Sequence, residues 1–353
     1  MVEPGRILLI LPNWMGDVLF VTPSLHEIRL RYPQSSLTAL VWPSCRPVLE
    51  GNPDINEVLP LDEKNFHKGF WGKIKLILEL RRRNFDTVFL FSRSRTRGFI
   101  SLLSRIPQRI GYQMPGKKHF LTHAVDAPPY DSMHRVEYYL GILRGMGFSI
   151  SKKPQYVLEI DQESEAWAQK FFKEKGIKKD DLKIVLNAGG NWAPKRWSAI
   201  LFGKLAKKMM ELWGAKIILT GVSQDHAIFE AILKEASYPL VSAIDRTHLK
   251  QLAALFKNAD LYIGNDSGPT HLAQAVKAPL IALFGPQDPK ITGPYGEGKK
   301  TILFKNKGCQ VPCFLPECEW KRCIDTITVE EVFEAAEKIV QSSRFKVQSK
   351  NEK

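Results

Sequence analysis

Two kinds of chemistry are written into this 353-residue chain: groups placed to move a proton and groups placed to hold a phosphate. Asp17 follows Gly16 just after an apolar run at residues 6–11. A carboxylate there can take a proton from an incoming hydroxyl, or it can simply cap the helix that follows. Gly16 lets the backbone come close to a ligand. Residues 187–197 read N-A-G-G-N-W-A-P-K-R-W. Small residues leave room, and Lys195 and Arg196 are suited to neutralise a diphosphate that gains charge as it leaves; the alternative is a surface loop with ordinary charges. This is not a P-loop, because G-x-x-x-x-G-K-[ST] is absent from the chain.

The third segment, residues 264–271, reads G-N-D-S-G-P-T-H between a strand and an apolar helix. A helix starting there offers free N–H groups and a positive dipole end to a phosphate. Ser267 and Thr270 add hydroxyl donors, Gly268 permits close approach, and Asp266 is an acceptor for sugar hydroxyls. Capping by Asp266, Ser267 or Thr270 is the structural alternative. His271 either lines the site or satisfies the fold from inside. Gly285 and Pro286 shape a turn beside this segment, and in residues 221–225 Gln224 or Asp225 can meet a base or a ribose.

These segments need strands to end on. Apolar runs at 6–11, 37–42 and 87–91 alternate with helical patterns through 32 and over 72–83, predicting a doubly wound parallel sheet. The pattern restarts with strands at 183–187, 216–220, 261–264 and 280–284 and helices at 197–212, 225–236 and 272–276. The expected organisation is α/β: a Rossmann-like domain over 1–160, a second over 161–328, and a C-terminal helix with a polar, frayed tail over 329–353. Ligands of open α/β sheets bind at the carboxyl ends of the strands. Two such domains are expected to face each other across a cleft.

Composition narrows the class. Hydrophobic residues make up 44% and charged residues 25%, ordinary for a globular protein. No run approaches the ~20 apolar residues of a membrane span, and the N-terminal apolar run is broken at Pro12, Asn13 and Asp17, unlike a secretory signal. A cytoplasmic protein is expected. The net charge is +14, and residues 81–120 carry ten Lys/Arg against one acid. That concentration suits an anionic partner, with a solvated basic face as the bland reading. Cys309, Cys313, Cys318 and Cys323 cluster, but their x3, x4 and x4 spacings lack paired C-x2-C knuckles. Packed or redox-sensitive thiols are favoured over zinc, and no metal site is assigned.

Taken together, N-W-M-G-D at 13–17 with T-P-S-L at 22–25, G-G-N-W-A-P-K-R-W at 189–197, G-N-D-S-G-P-T-H-L-A at 264–273, A-L-F-G-P at 282–286 and the cysteine segment 309–323 resemble the lipopolysaccharide heptosyltransferase family, glycosyltransferase family 9. The resemblance implies a GT-B fold and an inverting transferase that uses ADP-heptose as donor and needs no cofactor or catalytic metal. It implies Asp17 as general base, Lys195 with Ser267 and Gly268 at the donor phosphates, and Asp266 at the heptose; Thr270, a hydroxyl donor in the same segment, is expected at the phosphates too. The acceptor would be lipopolysaccharide inner core, its Kdo and heptose units carried on lipid A. The protein would then lie peripherally at the anionic inner face of the inner membrane. The variant at 13–17 leans toward addition of the second heptose rather than the first or third. Arg93, Arg95 and Arg97, following the strand at 87–91, are expected to meet the acidic acceptor, since Arg suits bidentate carboxylate recognition. Rival readings are a nucleic-acid-binding protein, against which stands the absence of RRM, KH, helix-turn-helix or zinc-finger signatures, and a non-catalytic sugar-nucleotide-binding module, against which stand intact Asp17, Lys195 and Asp266.

Overall fold

The computed structural model describes residues 3–351 apart from Lys117, Lys307, Trp320 and Lys321, with side chains described as far as residue 341. The chain divides into two compact units, Met1–Glu159 and Ile160–Lys353.

The first unit runs β1 (Arg6–Ile10), α1 (Met15–Arg31), β2 (Ser36–Val41), β3 (Glu57–Pro60), α2 (Gly69–Arg82), β4 (Thr87–Leu90), α3 (Arg95–Leu103), β5 (Gln108–Gln113), β6 (His123–Asp126) and α4 (Arg135–Gly145). Its strands form one parallel sheet in the order β3-β2-β1-β4-β5-β6. Leu8 and Ile10 join Leu76 and Leu80 of α2 and Ile100 of α3 in one apolar cluster. Side-chain alternation puts Ile7 and Leu9 on the opposite face, and both are also fully buried. Helices therefore cover both sheet faces, which is why β1 reads as a continuous apolar run.

Pro23 lies inside α1. A proline has no N–H for the carbonyl four residues back, here that of Leu19. The Thr22 hydroxyl donates to that carbonyl instead, at 2.8 Å. Thr22 Oγ1 in turn accepts from Val157 N at 3.0 Å, tying the end of the unit to its first helix.

The second unit runs α5 (Gln162–Glu174), β7 (Lys183–Asn187), α6 (Ala199–Trp213), β8 (Lys216–Leu219), α7 (His226–Ala236), β9 (Val241–Ser242), α8 (Leu249–Lys257), β10 (Leu261–Asn265), α9 (Gly268–Ala275), β11 (Leu280–Phe284), α10 (Pro289–Thr292), β12 (Lys300–Phe304) and α11 (Val329–Asn351). The sheet order is β12-β11-β10-β7-β8-β9, again all parallel. Val332, Phe333, Ala336 and Ile339 of α11 share one core cluster with Phe202 and Leu205 of α6 and with Ile263 of β10.

Several elements depart from the sequence pattern. α11 continues to Asn351, through the stretch expected to be a polar, frayed tail. α9 starts at Gly268 rather than 272, because Pro269 falls in the first turn, where a missing N–H costs nothing. β3, β5, β6, β9 and β12 lie toward the sheet edges and are short or partly polar, as in Gln108–Gln113 (QRIGYQ), so no apolar run announced them.

Candidate active site

Both sheets share one topology, and each has one place where the strand order reverses. In the first it falls between β1 and β4, in the second between β7 and β10. Connections leaving the two strands go to opposite sides there, which opens a crevice at their carboxyl ends.

At the first crevice a cavity of about 280 Å³ is lined by Asn13, Trp14, Asp17, Glu63, Ser92, Arg93, Arg97, Tyr130 and Tyr139, among others. Asp17 is half-buried in the first turn of α1. The N-cap is Trp14, with no side-chain capping bond, so Asp17 is not the cap. Its charge still gains from the positive end of the helix. The loop before it is clamped from two sides. Arg97 donates from Nη1 to Leu11 O (2.6 Å) and from Nη2 to Asn13 Oδ1 and Glu63 Oε2 (3.1 Å to Glu63). The Cys45 thiol donates to Asn13 O at 3.1 Å.

Tyr130 and Tyr139 hydrogen-bond each other beside Asp17. Burial, then the Asp17 charge, pushes both phenols up from their ordinary range, so both remain protonated donors at neutral pH. The Arg93 guanidinium lies 4.0 Å and that of Arg135 3.3 Å from the Tyr130 ring centroid, holding cations over the ring. Arg135 is fixed by Tyr130 O and by Asp131 Oδ1, the latter at 2.6 Å. Of the three arginines expected at the acceptor, Arg93 and Arg95 are exposed. Arg97 differs: it is 3% exposed and its guanidinium is taken up by the β1 loop and Glu63. It forms part of the cavity wall and positions Asp17's loop.

At the second crevice Asn265, the last residue of β10, joins two loops. Its Nδ2 donates to Ala188 O (2.9 Å) and Gly189 O (3.3 Å), and its Oδ1 accepts from Trp197 N at 3.0 Å. The loop carrying Lys195 is thereby fastened to the end of β10, next to Asp266, and Lys195 Nζ lies 2.6 Å from Asp266 Oδ2. Burial pushes the Asp266 carboxyl above its ordinary range, and Lys195 pulls against that shift. The N-cap of α9 is Ser267, whose side chain makes no capping bond, and Gly268 is the first helical residue. The Ser267 hydroxyl is buried against Tyr262, while the residue as a whole and Gly268 are half-buried, so the backbone at the start of α9 remains within reach of a ligand.

Thr270 does not join them. It is fully buried, donates to Asn265 O at 2.5 Å and meets Tyr262 Oη at 3.1 Å. The early start of α9 turns it inward, so the expected phosphate contact is corrected to a brace on the β10 turn. His271 is likewise buried. Gln224 is exposed on the turn after β8, while Asp225 is buried and accepts from Val222 N at 3.1 Å. A Cβ at Gly189 would overlap the Asp225 carboxylate, so glycine there lets the β7 and β8 loops pack together.

The cysteine segment folds onto the loop after β11. Cys313 N donates to Pro286 O (2.7 Å) and Gln287 Nε2 to Cys313 O (3.1 Å). The four thiols, all free, line a cavity of about 790 Å³ with Pro194 and Pro286. Burial is the main cause raising the Cys323 thiol. Among the described residues no group of His, Cys, Asp and Glu is arranged to hold a metal ion.

Tyr130, Tyr139, Glu63 and Cys45 were not singled out from the sequence. They lie 28 to 122 residues from Asp17, in no common motif, and only the fold brings them together.

The model of glycosyltransferase family 9 (heptosyltransferase) matches residues 73–323, more than half of the chain. Lipopolysaccharide heptosyltransferase 2 of Salmonella typhimurium is 27% identical over 84% of this chain and 87% of its own. Lipopolysaccharide heptosyltransferase 3 of Escherichia coli is 28% identical over 93% of this chain and 96% of its own. The crystal structure of a glycosyl transferase family 9 protein from Veillonella parvula superposes with a TM-score of 0.88 at 25% identity, covering 96% of this chain and 98% of that one.

Proposed function

The chain belongs to glycosyltransferase family 9, the heptosyltransferases, and is a glycosyltransferase of the GT-B class; from that footing we propose that it transfers heptose from ADP-heptose to the inner core of lipopolysaccharide, with inversion, adding the second heptose. The observation that carries this reading is the pair of crevices. One unit offers a carboxylate in a cavity lined by arginine and tyrosine, and the other offers the Lys195–Asp266 pair at the start of α9.

Inversion is a single displacement. Asp17 takes the proton of the acceptor hydroxyl as that oxygen bonds to the anomeric carbon. The bond from that carbon to the diphosphate breaks, and ADP leaves with the electron pair. Lys195, the Ser267 hydroxyl and the Gly268 N–H, at the positive end of α9, meet the developing charge. Asp266 turns to the heptose hydroxyls once the diphosphate draws Lys195 away. Gln224, exposed after β8, is the nucleotide contact, and Asp225 supports its loop. Arg93 and Arg95 meet acceptor carboxylates or phosphates, and Tyr130 and Tyr139 donate near the attacking oxygen.

Among the described residues no helix is long and apolar enough to cross a membrane. We place the protein in the cytoplasm, peripheral at the inner face of the inner membrane, where a lipid-anchored acceptor is met. The experiment is ADP release by purified protein given ADP-heptose and acceptors bearing zero or one core heptose, with Asp17→Ala alongside. Turnover confined to the one-heptose acceptor and lost in Asp17→Ala supports the reading. Turnover on the heptose-free acceptor moves the assignment to the first heptose.

A further inference from the structure

We propose that Phe66, Phe70 and Trp71, with Lys64, Lys68, Lys73 and Lys75, form the face that docks this protein on an anionic lipid bilayer; the inference rests on the reading above that the acceptor is a membrane lipid. Phe66, Phe70 and Trp71 are 60%, 71% and 73% exposed. Three large apolar rings so open within six residues form an uncommon cluster on a soluble surface, and such clusters mark contact sites.

The rings stand on a fixed platform. Residues 61–68 close on themselves: His67 N donates to Asp62 O (2.6 Å) and Asp62 N to His67 Nδ1 (3.0 Å). The start of α2 lies against this loop so closely that a Cβ at Gly72 would overlap the His67 backbone. Phe70 and Trp71 meet nearly edge to face, with centroids 5.4 Å apart.

Charge selects the partner. The four lysines are exposed, and Lys75 Nζ sits 5.2 Å over the Phe66 ring. The nearby acids are turned to other work. Asp62 accepts from Asn65 N and Nδ2, Glu63 from Trp42 and Arg97, and Glu79 pairs with Arg83. The face is thus aromatic and positive. A second copy would present the same charge and be repelled. A bilayer with anionic headgroups accepts both features: the rings sit at the headgroup boundary and the lysines reach the phosphates.

The test is flotation of the full-length protein with phosphatidylcholine vesicles, with and without phosphatidylglycerol. The wild type is expected to float with the anionic vesicles and to be released by salt. Phe70→Ser/Trp71→Ser and, separately, Lys68→Gln/Lys73→Gln are each expected to lower partition about tenfold or more. Both variants should keep the wild-type melting temperature and the wild-type ADP release on a deacylated, water-soluble acceptor. Wild-type partition by either variant, or equal binding to uncharged vesicles, overturns the proposal. So does a loss of self-association without a change in partition, which would assign the face to a second copy. Flotation is read without turnover, so an enzyme inactive on every acceptor would sink the functional reading and leave this one standing or falling by its own result.

Discussion

Lys195 Nζ lies 2.6 Å from Asp266 Oδ2, and the aspartate side chain is only 3% exposed while the lysine is 24% exposed. The lysine neutralises a buried carboxylate. Lys195→Ala strands that carboxylate and should cost about 3 kcal/mol at neutral pH, the low end for a broken buried pair because the lysine is partly open. The pH dependence has a definite sign. Burial holds the folded-state pKa of Asp266 above its unfolded value, so the folded state binds more protons in between. The contribution of Asp266 to stability therefore falls as pH rises from the unfolded value through the folded one. Removing Lys195 raises the folded value further and widens that window upward. Urea unfolding over a pH series should show Lys195→Ala regaining much of its loss on acidification; a pH-independent deficit would contradict the pairing.

Asp17 stands in the first turn of α1, whose N-cap is Trp14. With the general-base role proposed above, Asp17→Asn should lower kcat by about 10²- to 10⁴-fold. The lost helix-dipole interaction is only about 0.3–1 kcal/mol. Steady-state ADP release and thermal unfolding on one preparation would separate the two effects. A variant that loses stability in step with activity would make Asp17 structural.

How much of this was legible in the sequence depended on distance along the chain. The strands bearing the site, β1, β4, β7 and β10, are central and buried on both faces, so each reads as an apolar run followed by a polar loop. Asp17, Lys195 and Asp266 stand in those loops or just after them and could be named from position alone. Arg97 shows the limit. A run of three arginines in alternate positions reads as one basic surface, yet α3 begins at Arg95 and its helical turn sends Arg97 inward while Arg93 and Arg95 face solvent. Thr270 went astray similarly, because the helix began four residues earlier than its apolar pattern. The sequence also carried no local mark for Tyr130 and Tyr139, which reach the cavity from α4 and the loop before it.

The two kinds of arginine should separate in experiment. Arg93→Ala removes an exposed cation stacked on Tyr130 and should raise the acceptor KM several-fold with the donor KM and unfolding midpoint unchanged. Arg97→Ala leaves Leu11 O and Asn13 Oδ1 without their donor and Glu63 without its cation. It should cost roughly 3 kcal/mol or more in stability and lower kcat by loosening the loop before Asp17. Arg97→Lys should recover little, because one ammonium cannot reproduce the forked set of bonds. An Arg97 variant of native stability with only a raised acceptor KM would put this side chain in contact with substrate.

Thr270 and Ser267 should part in the same way at the second crevice. Thr270→Val keeps the volume but removes the hydroxyl that donates to Asn265 O at 2.5 Å. The orphaned carbonyl should cost about 1–3 kcal/mol, and Thr270→Ser should restore most of it. Ser267→Ala removes a buried hydroxyl that makes no capping bond and lies against the Tyr262 phenol, so stability should fall by only about 0.5–1.5 kcal/mol. Its effect should appear in the donor KM, raised several-fold with the acceptor KM unchanged. Unfolding midpoints read beside the two Michaelis constants decide the matter. If Thr270→Val is stable and raises only the donor KM, its hydroxyl faces the diphosphate after all, and the inward turn that α9 gives it is not the state in which the enzyme binds its donor.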